Sequence, residues 1–542
     1  MSQVPPRAAL LTHEVTNQPA ARGDENLWDI DPALQTHATA AGADAAHLAR
    51  FGATMGTADM AEAGRDANRQ PPEACLFDTG GRRLDEVRFH PSYHRLMREG
   101  LAAGYAALPW EGAAGGHATH AAMVYLTSQV EPGVCCPMTM TYAAIPALKP
   151  DAALFDRWVP KLISRAYDGA AKPLARKTGA TLGMAMTEKQ GGSDPRGTST
   201  RAAPNGAGYV LRGHKWFCSA PMSDGFLTLA QAPDGLTCFL VPRWLEGERN
   251  AIQIQRLKDK LGNRANATAE IEYLDADAFR LGEEGQGVRT IIEMVHHTRL
   301  DAAMAPAGLM RAALSHAAHW VRHRTAFEKR LIDQPLMRAV LADLVLDWEG
   351  TLALGLHVAH SFDARDEGDR AYARLAVALA KYMGNKLCPN VVYEAMEAMG
   401  GAGYVEDSAL PLLYREAPLN SIWEGSGNVL CLDILRSLRR APLAGARLSD
   451  ELGAVAGQYR RYDDALNRHI RRFPRLPEEA EARWYVESLA TLLTASVLIR
   501  QAPPAVAEGF VATRLTGERG RSTGAIGAVD NATILRRLGP DG

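Results

Sequence analysis

The amino-acid sequence predicts an α+β fold that is mostly α: an N-terminal helical domain, a middle antiparallel β-barrel or sandwich, a helical bundle, and an extra C-terminal helical domain. Three observations carry this. From about Asp44 to Tyr167 apolar residues recur at helical spacing. Between about Thr181 and Leu281 the pattern changes to short runs rich in β-branched and aromatic residues. From Gly287 helical periodicity returns in segments long enough for a bundle of antiparallel helices.

In chain order, residues 1–180 are assigned to the first helical domain, broken by PPEACLFDTGGRR and by WEGAAGG. Residues 181–285 hold YVLRGHKWF, GFLTLAQA, LTCFLVP, AIQIQRL and ATAEIEYL, bounded by Asn-Gly, Asp-Gly and Pro, and are assigned to the β-domain. The bundle, residues 286–442, contains VRTIIEMVHHTRLDAAM, PLMRAVLADLVLDWEGTLALGLHVAHSF and RLAVALAKYMGNKLCPNVVYEAMEAM. The last segment, residues 443–542, is helical by pattern and contains arginine but no lysine.

Composition excludes several classes. With 46% apolar and 23% charged residues over 542 positions, the chain is an ordinary globular protein of several structural units. A net charge of −2 gives no global attraction to nucleic acid or anionic membrane, so any such affinity is local. Seven irregularly spaced cysteines do not form a disulfide framework. The N-terminal MSQVPPRAALLTHEV lacks the apolar stretch of a signal peptide, and no segment reaches the roughly 18 residues of a membrane span. A cytoplasmic location without membrane attachment is expected.

MTEKQGGSD, Met186 to Asp194, lies between helical and β-rich sequence. Its hydroxyls and unhindered backbone N–H groups suit the edge of a planar heteroaromatic ring and a pyrophosphate; a capped turn is the alternative. Further on, HKWFCSAP offers Trp216 for stacking on a ring, with Cys218 and Ser219 presenting backbone and hydroxyl groups to its edge. A tryptophan in a β-domain otherwise belongs to the core. Both motifs together point to a bound heteroaromatic cofactor.

These motifs resemble those of the acyl-CoA dehydrogenase flavoprotein superfamily. The first matches at Met184, Met186, Thr187, Glu188, Gly192, Ser193 and Asp194, and the second at Lys215, Trp216, Phe217, Cys218 and Ser219. The Arg-x-x-Phe-Gly element, which in the family reaches the flavin of a neighbouring subunit, corresponds to Arg324 and Phe327, with Glu328 in place of the glycine. Gly400 and Gly401 match the Gly-Gly loop at the adenosine-diphosphate end. SIWEGSGNVLCLDILR resembles the segment carrying the catalytic acid, here Glu424, and places Ile422, Trp423, Gly425, Ser426, Gly427, Asn428 and Leu432 at the cofactor. The other base position of the family, just before an arginine, is Thr298 here, and a hydroxyl does not replace a carboxylate. GMAMTEKQGGSD, RLKDKLGNR, FHP, NSIWEGSGN and the extra C-terminal segment are most similar to the alkylation-response branch.

That branch implies FAD, a homotetramer and binding of double-stranded DNA. For DNA the residues expected are Arg436, Arg460, Arg461, Arg468, Arg471, Arg472 and Arg475. Between Arg436 and Arg475 ten arginines stand against four acids, and Arg461, Arg468, Arg472 and Arg475 are placed near one helical face, suited to phosphate oxygens. A solvated face with ion pairs is the alternative. His296, His297 and His323 have no partners at ligand spacing, so no metal is expected. The implied function is an FAD flavoprotein binding duplex DNA in the response to alkylation damage, with weak acyl-CoA dehydrogenase activity. The alternatives are a full dehydrogenase or oxidase on an unusual acyl thioester, whose C-terminal helices serve assembly alone, and a structural shield stabilised by its flavin. On the leading reading, truncation at about residue 440 is expected to remove DNA binding and leave a flavin-bearing core, provided the C-terminal segment is not required for assembly.

Overall fold

The structure, a computed structural model, describes residues 6–364 and 366–539. Helices α1 (Pro32–Ala40), α2 (Ala45–Met55) and α3 (Ala58–Arg69) each start on a side-chain cap, with Asp31, Asp44 and Thr57 accepting from the N–H three residues on. The sequence expected as a break folds into an antiparallel hairpin, β1 (Glu73–Phe77) and β2 (Arg83–Arg88). The FHP run opens α4 (Pro91–Ala102), with Pro91 in the first turn, where no intrahelical N–H bond is lost. Helices α5 (Gly116–Ser128) and α6 (Cys135–Leu148) are buried at every residue, as expected of apolar helices at the centre of a core. They are followed by α7 (Ala152–Leu162).

The β-rich region supplies β3 (Leu182–Ala185), β4 (Arg201–Asn205), β5 (Gly208–Ser219), β6 (Gly225–Ala232), β7 (Gly235–Pro242), β8 (Ile252–Leu257) and β9 (Thr268–Leu281). Strands β4, β5, β9, β7 and β6 pair in a ring, closed by a single parallel pair between Arg201 and Gln231. The sheet is therefore a closed barrel and not a sandwich, with β3 added to β6 and β8 to β9. Closure leaves the paired strands without a free edge.

Three long helices follow: α8 (Gly287–His323), α9 (Pro335–Phe362) and α10 (Glu367–Ala398). Short helices α11 (Gly401–Tyr404) and α12 (Leu410–Glu416) lead to α13 (Gly427–Arg440). The remainder forms α14 (Pro442–Gly453), α15 (Arg460–Arg472), α16 (Ala482–Gln501), α17 (Pro504–Phe510) and α18 (Asn531–Leu535). Among the described residues no helix is long and apolar enough to cross a membrane.

The C-terminal segment is not a detachable appendage. Asp343, Asp347 and Glu349 lie on the buried part of α9, and their partners come from the end of the chain. Arg514 and Arg519 pair with both aspartates at 2.6–3.3 Å. Arg537 grips Glu349 with Nε 3.0 Å from both carboxylate oxygens and Nη2 2.8 Å from Oε1, while His37 Nε2 lies 3.1 Å from Oε1. Truncation near residue 440 would remove these cations together with the helices that pack on α9, so the expectation of a separable core is corrected.

Burial raises the proton affinity of Glu349, but His37 and Arg537 outweigh it and hold the carboxyl below its ordinary range. Such a group stabilises the fold above the unfolded carboxylate value, near pH 4.3, and loses its contribution as pH falls through the native value. Arg537→Met is expected to destabilise the protein by about 3–5 kcal/mol at pH 7, the scale for orphaning one member of a buried pair. The deficit should narrow on acidification towards pH 4. Thermal unfolding of both proteins across this range is the check, and equal melting temperatures at pH 7 would contradict it.

Candidate active site

Strand β3 delivers Met184, half-buried against the core, into the loop that begins at Met186. Glu188 turns inward and is 1% exposed. Its carboxylate accepts from Ser199 N (2.7 Å) and Oγ (2.6 Å), from Thr200 Oγ1 (2.6 Å) and from Lys215 Nζ (2.8 Å), and Lys215 also donates to Leu229 O at 2.8 Å. Burial opposes the charge, but Lys215 and the two hydroxyls hold Glu188 well below the usual carboxylate range. Trp216 N donates to Thr187 O at 2.7 Å, so the two motifs are joined by backbone. A Cβ at Gly192 would come within 2.3 Å of Thr187 Oγ1, so only glycine lets the loop fold back here. Ser193 is exposed at its tip, and Asp194 pairs with Arg196 at 2.8 Å.

On β5, Trp216 is half-buried and Phe217 is exposed. Lys258 Nζ sits 3.2 Å from the Trp216 ring centroid, and Lys189 and Arg256 lie at 5.6 and 5.7 Å. Two of these cations are paired with Glu270, Arg256 at 2.7 Å and Lys258 at 2.6 Å; three cations around one aromatic ring favour a ligand that is both planar and anionic. The Cys218 side chain is fully buried, so only its backbone is available to a ligand. Ser219 Oγ lies 3.4 Å from Thr268 Oγ1.

Opposite stands the loop before α13. Glu424 has φ +56°, the left-handed region that non-glycine residues seldom adopt, and Gly425 follows with φ +95°. Thr298 on α8 donates Oγ1–H to Glu424 Oε2 at 2.6 Å. Arg299 Nε lies 3.3 Å from Glu424 O, and its Nη1 pairs with Asp433 at 2.7 Å. Lys381 Nζ donates to Trp423 O and Gly425 O. Burial pushes the proton affinity of Glu424 up, while Thr298, Lys381 and Arg299 oppose the rise. Trp423 is pinned beside it by Nε1–H to Asn420 Oδ1 at 2.6 Å. Ile422 is 65% exposed, Ser426 caps α13 by its backbone, and Gly427 packs near Lys386 and Tyr382. Asn428 is exposed and receives Arg483 Nε at 2.8 Å, and Leu432 is half-buried.

Cys136 on α6 links the two sides. Burial pushes its thiol up to about 12 against the pull of Lys260, the charge of Glu424 adds to the rise, and Ser219 and Asn266 oppose it. Cys136 thus lies within electrostatic reach of both Ser219 at the end of β5 and Glu424.

Other candidates lie elsewhere. Arg324 and Phe327 are on the hairpin after α8, Phe327 being 92% exposed with φ +51°. From Thr298 to Arg324 the helix rises about 40 Å, so this hairpin and Glu424 of the same chain do not meet at one ring. Gly400 and Gly401 form an exposed turn after α10 with open space where a Cβ would stand. A partly exposed tryptophan ringed by cations, a Thr-Gly-Ser loop bonded to it, and an open glycine turn fit a flavin dinucleotide; the residues that would hold it are those of the two loops and the Glu424 segment. Among the described residues no group of three or more His, Cys, Asp or Glu is arranged for a metal ion. His297 packs in an aromatic cluster with Trp110, His117, Tyr142 and Phe362.

The arginine segment differs from expectation. Helix α15 ends at Arg472, so Arg475 lies beyond it and not on its face. All six arginines from Arg460 to Arg475 are exposed, but most are engaged. Arg460 pairs with Asp464 at 3.8 Å, Arg461 with Glu518 at 3.3 Å and Arg472 with Glu481 at 2.9 Å; Arg472 also stacks 3.8 Å from Trp484, and Arg468 donates to Leu515 O. Arg436 lies 3.5 Å from Asp433.

Comparison with known proteins matches residues 17–169 to the N-terminal domain of the adaptive response protein AidB. Residues 183–276 and 285–439 match the middle and C-terminal domains of acyl-CoA dehydrogenases. The chain is 43% identical over 536 residues to AidB of Escherichia coli K12, covering 97% of this chain and 98% of that one. It is 33% identical over 413 residues to acyl-CoA dehydrogenase family member 11 of Caenorhabditis elegans, covering 72% of this chain and 66% of that one. The structure of C. elegans ACDH-11 in complex with C11-CoA superposes with a TM-score of 0.81 at 26% identity, covering 98% of this chain and 93% of that one. An acyl-CoA dehydrogenase from Bacillus anthracis complexed with FAD shares the fold, with a TM-score of 0.63 at 18% identity over 79% of this chain and 78% of that one.

Lys215→Met is expected to lower stability by about 3–5 kcal/mol, because Glu188 stays buried without its cation. Lys215→Met combined with Glu188→Gln should recover part of the loss, which a double-mutant cycle by denaturant unfolding measures. A single variant as stable as the parent would show that the pair does not hold the two loops.

Proposed function

The chain belongs to the acyl-CoA dehydrogenase family, in its AidB branch, and from that premise we propose that it is a flavoprotein that abstracts the α-proton of an acyl-CoA thioester with Glu424 and also binds duplex DNA in the response to alkylation damage. The cofactor is FAD. When bound, it supplies the two-electron acceptor that takes the β-hydrogen as hydride. The observation that carries the catalytic reading is the Glu424 carboxylate, raised in proton affinity by burial and steadied by Thr298.

The chain's own residues divide the work. The turn at Met186 to Ser193, with Trp216 and Ser219, holds and orients the flavin. Glu424 takes the α-proton on a carboxylate oxygen not committed to Thr298. Burial keeps that proton affinity matched to a carbon acid made acidic by its thioester. Thr298, although no base, thereby serves the base. Trp423, fixed against Asn420, fills space beside Glu424 and narrows the acyl pocket, which supports weak turnover or a short or unusual acyl group. The placement of Arg324 and Phe327 far along α8 supports a homotetramer in which they reach a neighbouring subunit's flavin.

The DNA reading rests on the exposed arginines and on the likeness to AidB. Since Arg460, Arg461, Arg468 and Arg472 already have partners within the chain, Arg471 and Arg475 are the first to meet phosphate, with Arg436 and the others following by exchange.

Glu424→Gln keeps the shape of the site but accepts no proton, so anaerobic flavin reduction by acyl-CoA is expected to slow by about 10² to 10⁴ with FAD content unchanged. Unaltered flavin bleaching would assign the base elsewhere. For DNA, Arg471→Glu with Arg475→Glu is expected to weaken duplex binding at all sequences. The slope of log affinity against log salt should flatten by about 0.9 for each phosphate no longer neutralised. A yellow, correctly assembled variant with the parent's affinity and slope would refute this assignment.

A further inference from the structure

Lys381 lies midway along α10 in the run LAVALAKYM and is fully buried. An ammonium in such a place needs acceptors. Among the described residues it forms no ion pair at salt-bridge distance. Its Nζ instead donates to Trp423 O at 2.7 Å and Gly425 O at 2.8 Å, the carbonyls on either side of Glu424. Glu424 between them is held at φ +56°, a conformation that costs a non-glycine residue free energy and persists only where surroundings enforce it. In this turn the two carbonyls, two residues apart, converge on one nitrogen.

We propose that Lys381 is a positioning residue for α-proton abstraction, clamping the carbonyls of the residues on either side of Glu424 so that the carboxylate stays in its strained turn. This rests on the catalytic reading above and deepens it. The clamp also has an electrostatic side. The charged groups around it are Glu424 itself, Arg299 from α8 with Asp433 from α13 beside it, and Lys386 from α10. Burial pushes the Lys381 ammonium down to about 7, with Glu424 pulling it up and Arg299 and Lys386 pushing it further down. Its charge in turn counters the burial of Glu424. A neutral amine retains two N–H donors, so above neutral pH the clamp survives while the charge is lost.

The test uses the full-length FAD-loaded protein with Lys381→Met, which removes donors and charge, and Lys381→Gln, which keeps amide donors without charge. Stopped-flow flavin reduction by acyl-CoA is followed against pH. Independently of any substrate, the Glu424 carboxyl is titrated by difference infrared spectroscopy against the same protein carrying Glu424→Gln. Lys381→Met is expected to slow reduction by about 10- to 100-fold with acyl-CoA affinity little changed, the scale of a misplaced catalytic group. The Glu424 titration should move upward by about one pH unit or more on losing a neighbouring cation. Lys381→Gln should restore part of the rate but not the titration. Parental rates and titrations in Lys381→Met would overturn the proposal, and if that variant does not fold, a parental Glu424 titration in Lys381→Gln overturns it. A parent that no acyl-CoA reduces would defeat the catalytic reading, while the infrared titration still decides the role of Lys381.

Discussion

A carboxylate withdrawn from water has to be met by donors, and that requirement ties together parts of this chain remote in sequence. Glu188 draws Ser199, Thr200 and Lys215 around it and so joins the two cofactor-motif segments. Asp301 on α8 gathers His120 at 2.7 Å, together with Thr139 and Tyr105, which seats α5 and α6 against α8. Glu349 and its two aspartate neighbours on α9 recruit the end of the chain. Each is a structural carboxylate with a full set of partners. Glu424 is different. It has one hydroxyl and two cations near its backbone, and burial wins. The contrast separates these structural acids, held charged by their partners, from Glu424, whose proton affinity burial raises.

The same contrast explains the division of α8. In its first half it offers Thr298 and Arg299 to Glu424, and at its far end it presents Arg324 and Phe327 on an exposed hairpin. A helix of 37 residues spans roughly 55 Å, enough to serve two separated sites. C-terminal helix α16 meets the Glu424 segment as well, through Arg483 and Asn428. The arginine-rich helix α15 is anchored by Tyr462, Ala465 and His469 on its buried face, with Arg461 and Arg468 tied to the segment around Leu515 and Glu518.

Much of this was legible in the sequence, and the reasons are local. Alternating β-branched runs between Asn-Gly and Asp-Gly turns announced the β-domain, and long 3.6-residue periodicity announced α8, α9 and α10. Closure of the barrel was not legible, because it rests on the register of β4 with β6 and of β7 with β9 across intervening strands. The end of α15 had a signal that the arginine spacing obscured: Pro474 disfavours helix at Phe473 and so places Arg475 outside. The Glu424 segment stood out by resemblance, but its brace did not. A lysine on a long helix ordinarily marks a solvated face, and only packing shows that Lys381 is enclosed. Likewise Asp343, Asp347 and Glu349 in an apolar helix signalled a need for cations without saying where in the chain they lie.

The central claim is that the two motif loops and the Glu424 turn bound one flavin site. A crystal structure of the FAD-loaded protein tests this most directly. The account predicts an isoalloxazine ring against Trp216 with its edge at Met186 and Thr187, and the Glu424 carboxylate, still in its left-handed turn, across an acyl-sized gap from the ring. A flavin seated away from Trp216 and the Met186–Ser193 loop, or a Glu424 side chain turned away from the ring with Lys381 unbound from its two carbonyls, would contradict it.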